Sequence, residues 1–322
     1  MIIWFKLSFE RSQKHRLKIE THLKCLFSQL LTGQTEYGLI NWKKEALEFL
    51  PLLDVLENFS EKFQDENWNQ ICHTLSTHYL LPWARKHVKS RRWITKNTVI
   101  RIFLLNPLPE DLNAMRTLLH DKTYSIRMLA SEALGRLKMP EVIPVLISQM
   151  AREVPTARFI YRTTLLRAPY EHFHIFLKLF EQTKSDRVKI CCLDIMMHRY
   201  YGNLNPFLKK HIQSKNATVR MMIAKIFHLI QSDETREDLI LLLNDPAPKV
   251  RAAAVEALGE LADIKSFEKV SQMLHDANYN VRLSAAFALI KYGKTGIQVL
   301  ELQDADISPK AHEVARFVLT LP

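Results

Sequence analysis

Leu243-Asn-Asp-Pro-Ala-Pro-Lys-Val-Arg-Ala-Ala-Ala-Val-Glu-Ala-Leu-Gly259 is the stretch whose reading decides the fold. Asp245 is a good N-cap and Pro246 suits a first helical position, so a helix is predicted to begin here. Val250, Ala253, Ala254, Ala257 and Leu258 then fall on one helical face. A second helix is predicted from Lys265 to Leu274, and the motif restarts at His275-Asp276.

The unit recurs. Arg127, Arg158, Lys189, Arg220, Arg251 and Arg282 occupy its Val-Arg position, each 31 residues from the next. Three residues beyond each stand Ala130, Tyr161, Cys192, Ile223, Ala254 and Ala285; seven beyond stand Leu134, Leu165, Met196, Phe227, Leu258 and Leu289. Columns filled this way face a continuous core. Such a period marks an array in which each helical pair must stack on its neighbours to bury its apolar face. One step back reaches Lys96, Val99 and Phe103, so a weaker copy is expected from near Ser90. Forward, Ser308-Pro309 restarts a helix to Leu319, a C-terminal cap.

Only 7 Gly among 322 residues, abundant Leu, Ala, Lys and Glu, and no sustained apolar–polar alternation predict an all-α chain. A stacked array grows without a single globular core, so one elongated body is expected rather than two compact domains. The expected division is an irregular helical region over 1–89 and the repeat array over 90–322. Cys25, Cys72, Cys191 and Cys192 show no paired-motif spacing, which points to reduced thiols and a cytoplasmic protein. No signal-peptide pattern is found, and the apolar Met1–Phe5 is far too short to span a bilayer.

The net charge of +11 favours acidic partners: a protein surface, an anionic membrane or nucleic acid. Residues 6–31 read as a basic amphipathic helix ended by Gly33, with Leu17, Leu23, Leu26, Phe27, Leu30 and Leu31 as its apolar stripe. It either caps the array or lies on a membrane surface as a peripheral attachment. Helices are expected over Asn41–Glu61, interrupted by Pro51, and over Glu66–Leu81, with Asp65 as a start signal before Trp68. The densest positive run, Arg85–Arg92, leads into Trp93 and Lys96: either a grip on phosphate or lipid headgroups, or a solvated helix end whose Trp packs inward.

Asp121–Gly135, the opening stretch and Asp276–Leu289 resemble the HEAT-repeat pattern in its short bacterial, lyase-type form, because Asp, Val/Ile-Arg, Ala and Leu keep their offsets in all three. The resemblance implies an armadillo-type, right-handed α-solenoid superhelix of about seven units. It also implies a polar ladder, assigned here to Asp121 with Arg127, Asp245 with Arg251, and Asp276 with Arg282. The intervening copies depart from it, with Arg152, Thr183 and Ser214 in the Asp column; Thr and Ser can still cap a helix, and Arg cannot. In such arrays the second helices usually line the concave surface. Lys178 and Lys209 hold equivalent places on them, beside Lys210 and His211. These lysines, with Arg91, Arg92, Trp93 and Arg152, form the candidate binding surface. Phe159, Tyr161, Tyr170, Phe173, Phe176, Phe180, Tyr200 and Tyr201 fill the core where other copies have Ala, with one or two available as a ligand-facing ledge.

Catalytic signatures are missing: no G-x-S-x-G, Gly-rich phosphate loop, H-E-x-x-H or C-x-x-C. His172 and His174 fall on different helix faces, and the repeated His-Glu pairs of the iron-binding HEAT hydroxylases reduce here to His312-Glu313. Cys192 sits in a column of Ala and reads as a buried small hydrophobe rather than a pigment-attachment thiol. The expectation is a non-enzymatic scaffold without cofactor or metal, holding a protein partner. The rivals are a nucleic-acid cradle of the DNA-glycosylase kind and, third, a pigment lyase.

Overall fold

The computed structural model describes residues 2–42, 49–63, 65–199, 204–230 and 232–321, with the side chains of 2–12 and of Leu39 left out. Its regular elements are all helical, as the composition predicts. They form two compact units, Met1–Val145 and Leu146–Pro322, a division within the stretch that the period reads as one array.

In the first unit, α1 (Ile2–Leu31) is followed by α2 (Phe49–Lys62), α3 (Glu66–Leu75), a π turn at Ser76–Leu80, α4 (Leu81–His87), α5 (Trp93–Leu105), α6 (Leu112–Leu119) and α7 (Tyr124–Arg136). Leu23, Phe27 and Leu30 recur at helical spacing on α1 and are buried. Phe27 packs on Trp42 at 5.8 Å, on Phe59 at 5.7 Å and edge-on to Trp68 at 5.3 Å. The later half of α1 is therefore docked, while Lys14, Arg16 and Lys18 are exposed and the apolar tip lies outside the described side chains. No helix among the described residues is long and apolar enough to cross a membrane. Asp65 starts α3 as expected, accepting from the Trp68 N–H at 2.9 Å. Pro51 is buried near the start of α2, and residues 43–48 of the helix expected over Asn41–Glu61 lie outside the described residues. Arg101 on α5 bridges Asp54 at 2.6 Å and Glu57 at 3.0 Å on α2, and these partners hold its guanidinium firmly protonated.

The division point falls within α8 (Val142–Arg152). The second unit then alternates helices that carry or directly follow the Val-Arg position, together with the terminal α19, with partner helices. The first set is α9 (Phe159–Leu165), α11 (Asp186–His198), α13 (Ala217–Ile230), α15 (Pro248–Leu261), α17 (Tyr279–Lys291) and α19 (Pro309–Leu319). Between them lie α10 (Phe173–Gln182), α12 (Asn205–Lys209), α14 (Asp233–Leu242), α16 (Ile264–Gln272) and α18 (Lys294–Glu301). Helix α15 starts two residues later than the sequence suggests, at Pro248, because Asp245 bonds the Ala247 N–H and keeps Pro246 in the turn.

Tyr161, Cys192, Ile223, Ala254, Ala285, Met196, Phe227, Leu258 and Leu289 are all inaccessible to solvent, so both apolar columns line one core. The Val-Arg helices pack directly on one another from α11 to α19, whereas α14 and α16 meet sparingly. Small residues set that difference. A Cβ added at Gly259 would stand 2.5 Å from the Cβ of Ala288, so α15 and α17 are already at the closest approach their backbones permit.

Candidate interaction surface

Each Asp of the ladder does two jobs. Asp245 accepts from the Ala247 N–H at 2.8 Å, closing the turn before α15, and its carboxylate also takes the guanidinium of Arg220 in a bidentate pair at 2.6 and 2.8 Å. Asp276 repeats both, with the Asn278 N–H at 2.7 Å and Arg251 at 2.7 and 2.8 Å. In the first unit, Asp121 bonds the Thr123 N–H at 2.8 Å and pairs with Lys96. The carboxylate rung thus joins one copy to the next, 25 residues on, rather than an Asp to the Arg of its own copy. That Arg instead bonds its own Asp's backbone: Arg251 Nη1 donates to Asp245 O at 2.8 Å, Arg282 to Asp276 O at 2.9 Å and Arg127 to Asp121 O at 3.0 Å. Burial alone would raise the carboxyls of Asp245 and Asp276; the paired arginines and the turn N–H groups outweigh it and hold both below the usual carboxylate range.

The middle copies keep the turn and lose the rung. Thr183 Oγ1 accepts from the Ser185 N–H at 3.1 Å and Ser214 Oγ from the Asn216 N–H at 3.4 Å, but neither brings a carboxylate to the cation 25 residues before it. Lys189 finds another partner, with its ammonium 5.5 Å from the ring centre of Phe180. Arg158 donates Nε to Glu153 O at 3.3 Å.

Two grooves open along the closely packed row. One, of about 390 Å³, is lined by Thr156, Arg158, Phe159, Arg162, Cys191, Asp194 and Met222 among others. The other, of about 420 Å³, lies between α11, α13 and α15 and mixes Lys225 and His228 with Glu256 and Glu260. Phe159 is 57 % exposed on the rim of the first, with the Arg162 guanidinium 5.7 Å from its ring centre. Sequence periodicity did not point to either groove, since each is built from residues of three or more copies.

Lys178, Lys209 and Lys210 are exposed, on or at the end of the more widely spaced partner helices α10 and α12. Lys209 stands 3.7 Å from Asp238, a buried carboxylate whose pKa burial pushes up. Arg152 is exposed at the end of α8, and Arg91 and Arg92 are exposed before α5. Trp93 does not pack inward: it is 54 % exposed at the first position of α5, beside Ile94 at 72 %. The basic run is partly structural, because Arg85 forms a bidentate pair with the buried Asp111 at 2.7 and 3.0 Å. Of the aromatic residues, Tyr161, Phe173, Phe176 and Phe180 are buried, Phe159 and Tyr170 are exposed, and Tyr200 and Tyr201 lie outside the described residues.

The remaining chemistry is muted. Cys191 and Cys192 are buried, and burial pushes the Cys191 thiol up to about 11 and Cys192 further, which keeps both protonated and poorly nucleophilic at neutral pH. His312 is engaged by the backbone, with Nδ1 2.7 Å from Gln303 O. No three His, Cys, Asp or Glu side chains among the described residues are placed to hold a metal ion.

A family model described as HEAT repeats matches residues 196–302. No curated protein matches the chain. Among solved structures, the Escherichia coli protein YibA is similar at 14 % identity and a TM-score of 0.40, over 79 % of this chain and 98 % of that one. Human deoxyhypusine hydroxylase is similar at 14 % identity and 0.33, over 78 % and 96 %. An engineered protein follows at 16 % identity and 0.34, over 65 % and 97 %. Likenesses at these scores carry nothing about function. The rungs, the buried columns and the matched family agree over the same copies, and residues 196–302 of this chain are HEAT repeats.

Proposed function

We propose that the chain is a non-enzymatic scaffold that binds a protein partner on a preformed surface of its repeats. The observation that carries this reading is the pair of bidentate rungs, Arg220 to Asp245 and Arg251 to Asp276. They tie the copies that follow residue 214 in fixed register, and the proposed contacts lie on the two copies just before these, so the surface is anchored on one side before a partner arrives. The net charge of +11 favours an acidic partner, and exposed Lys178 and Lys210 are the proposed contacts. Lys209 is set apart as the partner of Asp238. A cytoplasmic location is proposed alongside, in keeping with four unpaired cysteines.

The test is affinity capture with the wild-type chain and with a Lys178→Glu, Lys210→Glu variant whose helical circular dichroism matches. A protein that binds the purified wild type saturably and loses at least about tenfold affinity for the variant supports the reading. Identical binding by both chains overturns the placement, and turnover of a small molecule by the purified chain overturns the non-enzymatic reading.

A second reading is attachment to an anionic membrane, favoured by Trp93 and Ile94 standing exposed next to Arg91 and Arg92. Failure to co-sediment with phosphatidylserine vesicles would remove it, and binding unchanged in Trp93→Ala would take Trp93 out of the contact.

A further inference from the structure

The missing rung at Thr183 leaves a cation facing a groove. In the ladder, the residue 25 positions after each Arg supplies the carboxylate: Asp245 for Arg220 and Asp276 for Arg251. For Arg158 that position is Thr183, which retains the turn-closing bond and has no charge to offer. Among the described residues no carboxylate stands within ion-pair distance of Arg158. Two acidic groups of the neighbourhood are engaged elsewhere. Asp194 takes Arg162 at 3.3 Å and lies 3.6 Å from His198, while Glu153 Oε1 accepts from Gln149 Nε2 and from the Tyr161 hydroxyl. Of the other cations whose rung position holds no carboxylate, Lys189 is covered by the Phe180 ring, while Arg127 and Arg282, with Arg152 and Ile307 at that position, bond backbone carbonyls and lie over the rings of Tyr124 and Tyr279. Arg158 instead lines the groove of about 390 Å³ together with Arg162, below the exposed ring of Phe159.

We propose that this groove takes an acidic peptide segment of a protein partner, with one Asp or Glu carboxylate seated on Arg158 in the place that the ladder carboxylate fills in later copies, and an apolar or aromatic neighbour laid against Phe159. The inference rests on the scaffold reading above and names the chemistry of the partner. Two features select a peptide over a bare anion. The groove is about 390 Å³, larger than a bare anion needs, and its lining carries apolar surface beside the cations, with Pro155, Ile190, Met222 and the 57 % exposed Phe159. With Nε of Arg158 donated to Glu153 O at 3.3 Å, the Nη1 and Nη2 groups are the parallel donors left for a carboxylate, and an exposed aromatic beside them supplies the contact area that makes such an anchor selective.

The experiment restores the missing rung. Thr183→Asp gives Arg158 an internal carboxylate at the site where Asp245 and Asp276 already serve, so the variant is expected to fold at least as stably as wild type. Arg158→Ala removes the cation. Asn280→Asp, exposed and three copies beyond Thr183, adds the same charge as Thr183→Asp without touching the groove. The probe is a fluorescein-labelled twelve-residue peptide of Glu and Asp with one central Trp, titrated by anisotropy in 150 mM salt. Wild type and Asn280→Asp are expected to bind alike, and Thr183→Asp and Arg158→Ala at least about tenfold more weakly. Equal binding by Thr183→Asp, equal loss in all three variants, or no binding by wild type would each overturn the proposal. So would displacement of the probe by millimolar inorganic phosphate with the same sensitivity to Thr183→Asp, which would assign the site to phosphate. A partner captured through Lys178 and Lys210 leaves the scaffold reading standing whichever way this titration falls.

Discussion

Two residues on α15 show how steric limits set local stability. At Gly259, an alanine would gain roughly 1 kcal/mol of helix propensity but place its Cβ 2.5 Å from the Cβ and 2.8 Å from the Cα of Ala288. Overpacking between two backbones costs about 1–3 kcal/mol, so steric cost wins and Gly259→Ala is expected to lower stability in urea denaturation. A stability equal to or above wild type would show that α15 and α17 can move apart. Three residues on, Ala262 ends the helix at φ +46°, in the left-handed region where a Cβ is disfavoured, while its N–H still reaches Leu258 O at 3.0 Å. Ala262→Gly is therefore expected to raise stability by about 0.5–1 kcal/mol, the opposite sign from a glycine placed inside the helix. No gain in the same denaturation assay would mean that the unfolded-chain entropy of glycine offsets the relieved strain.

At the scale of the element, the rung is an electrostatic joint whose strength depends on pH. Asp245 and Asp276 have folded-state pKa values below the ordinary carboxylate value, so the unfolded chain takes up protons first as pH falls. The stabilisation is fully present above about pH 5 and drains away as pH drops through the folded values. Thermal melts from pH 6 to pH 2.5 should show wild type losing more stability than an Asp245→Asn, Asp276→Asn variant, which starts lower by about 2–4 kcal/mol and falls less steeply. Parallel curves would mean that the rungs are ornamental. The columns of this joint are legible in the sequence, because repetition displays Arg220, Arg251, Asp245 and Asp276 at constant spacing. The pairing is not. With one period running through both columns, an offset of six within a copy and an offset of 25 between copies fit the letters equally well, and only packing decides that the carboxylate faces the preceding copy. The same limit hides the grooves, whose walls come from several copies, and it hides the outward turn of Trp93, which depends on what lies over the start of α5.

Across the second unit, stability is expected to be uneven, because an array is held by neighbours and its rungs are unevenly supplied. The copy that contains Arg158 opens with a 3-10 turn at Pro155–Ala157, its α9 has 7 residues against 14 in α15, and Thr183 supplies no carboxylate. The copies around α15 and α17 have a bidentate rung and the closest helix contact. In a chain of nearest-neighbour units, local opening takes place where the unit and its interfaces are weakest, and amide hydrogen exchange reports that opening free energy directly. Peptides covering 159–182 should exchange faster than those covering 248–291, and a deficit of one rung corresponds to roughly tenfold in protection. Thr183→Asp should then slow exchange in α9 and at the start of α11 while leaving α17 unchanged. If 159–182 proves as protected as 248–291, the lost carboxylate is made good by other contacts and the middle of the unit is no weaker than its end. If the contrast appears and Thr183→Asp removes it, the departure from the repeat at that position is a site where stability has been given up, and the cation left behind is available to a partner.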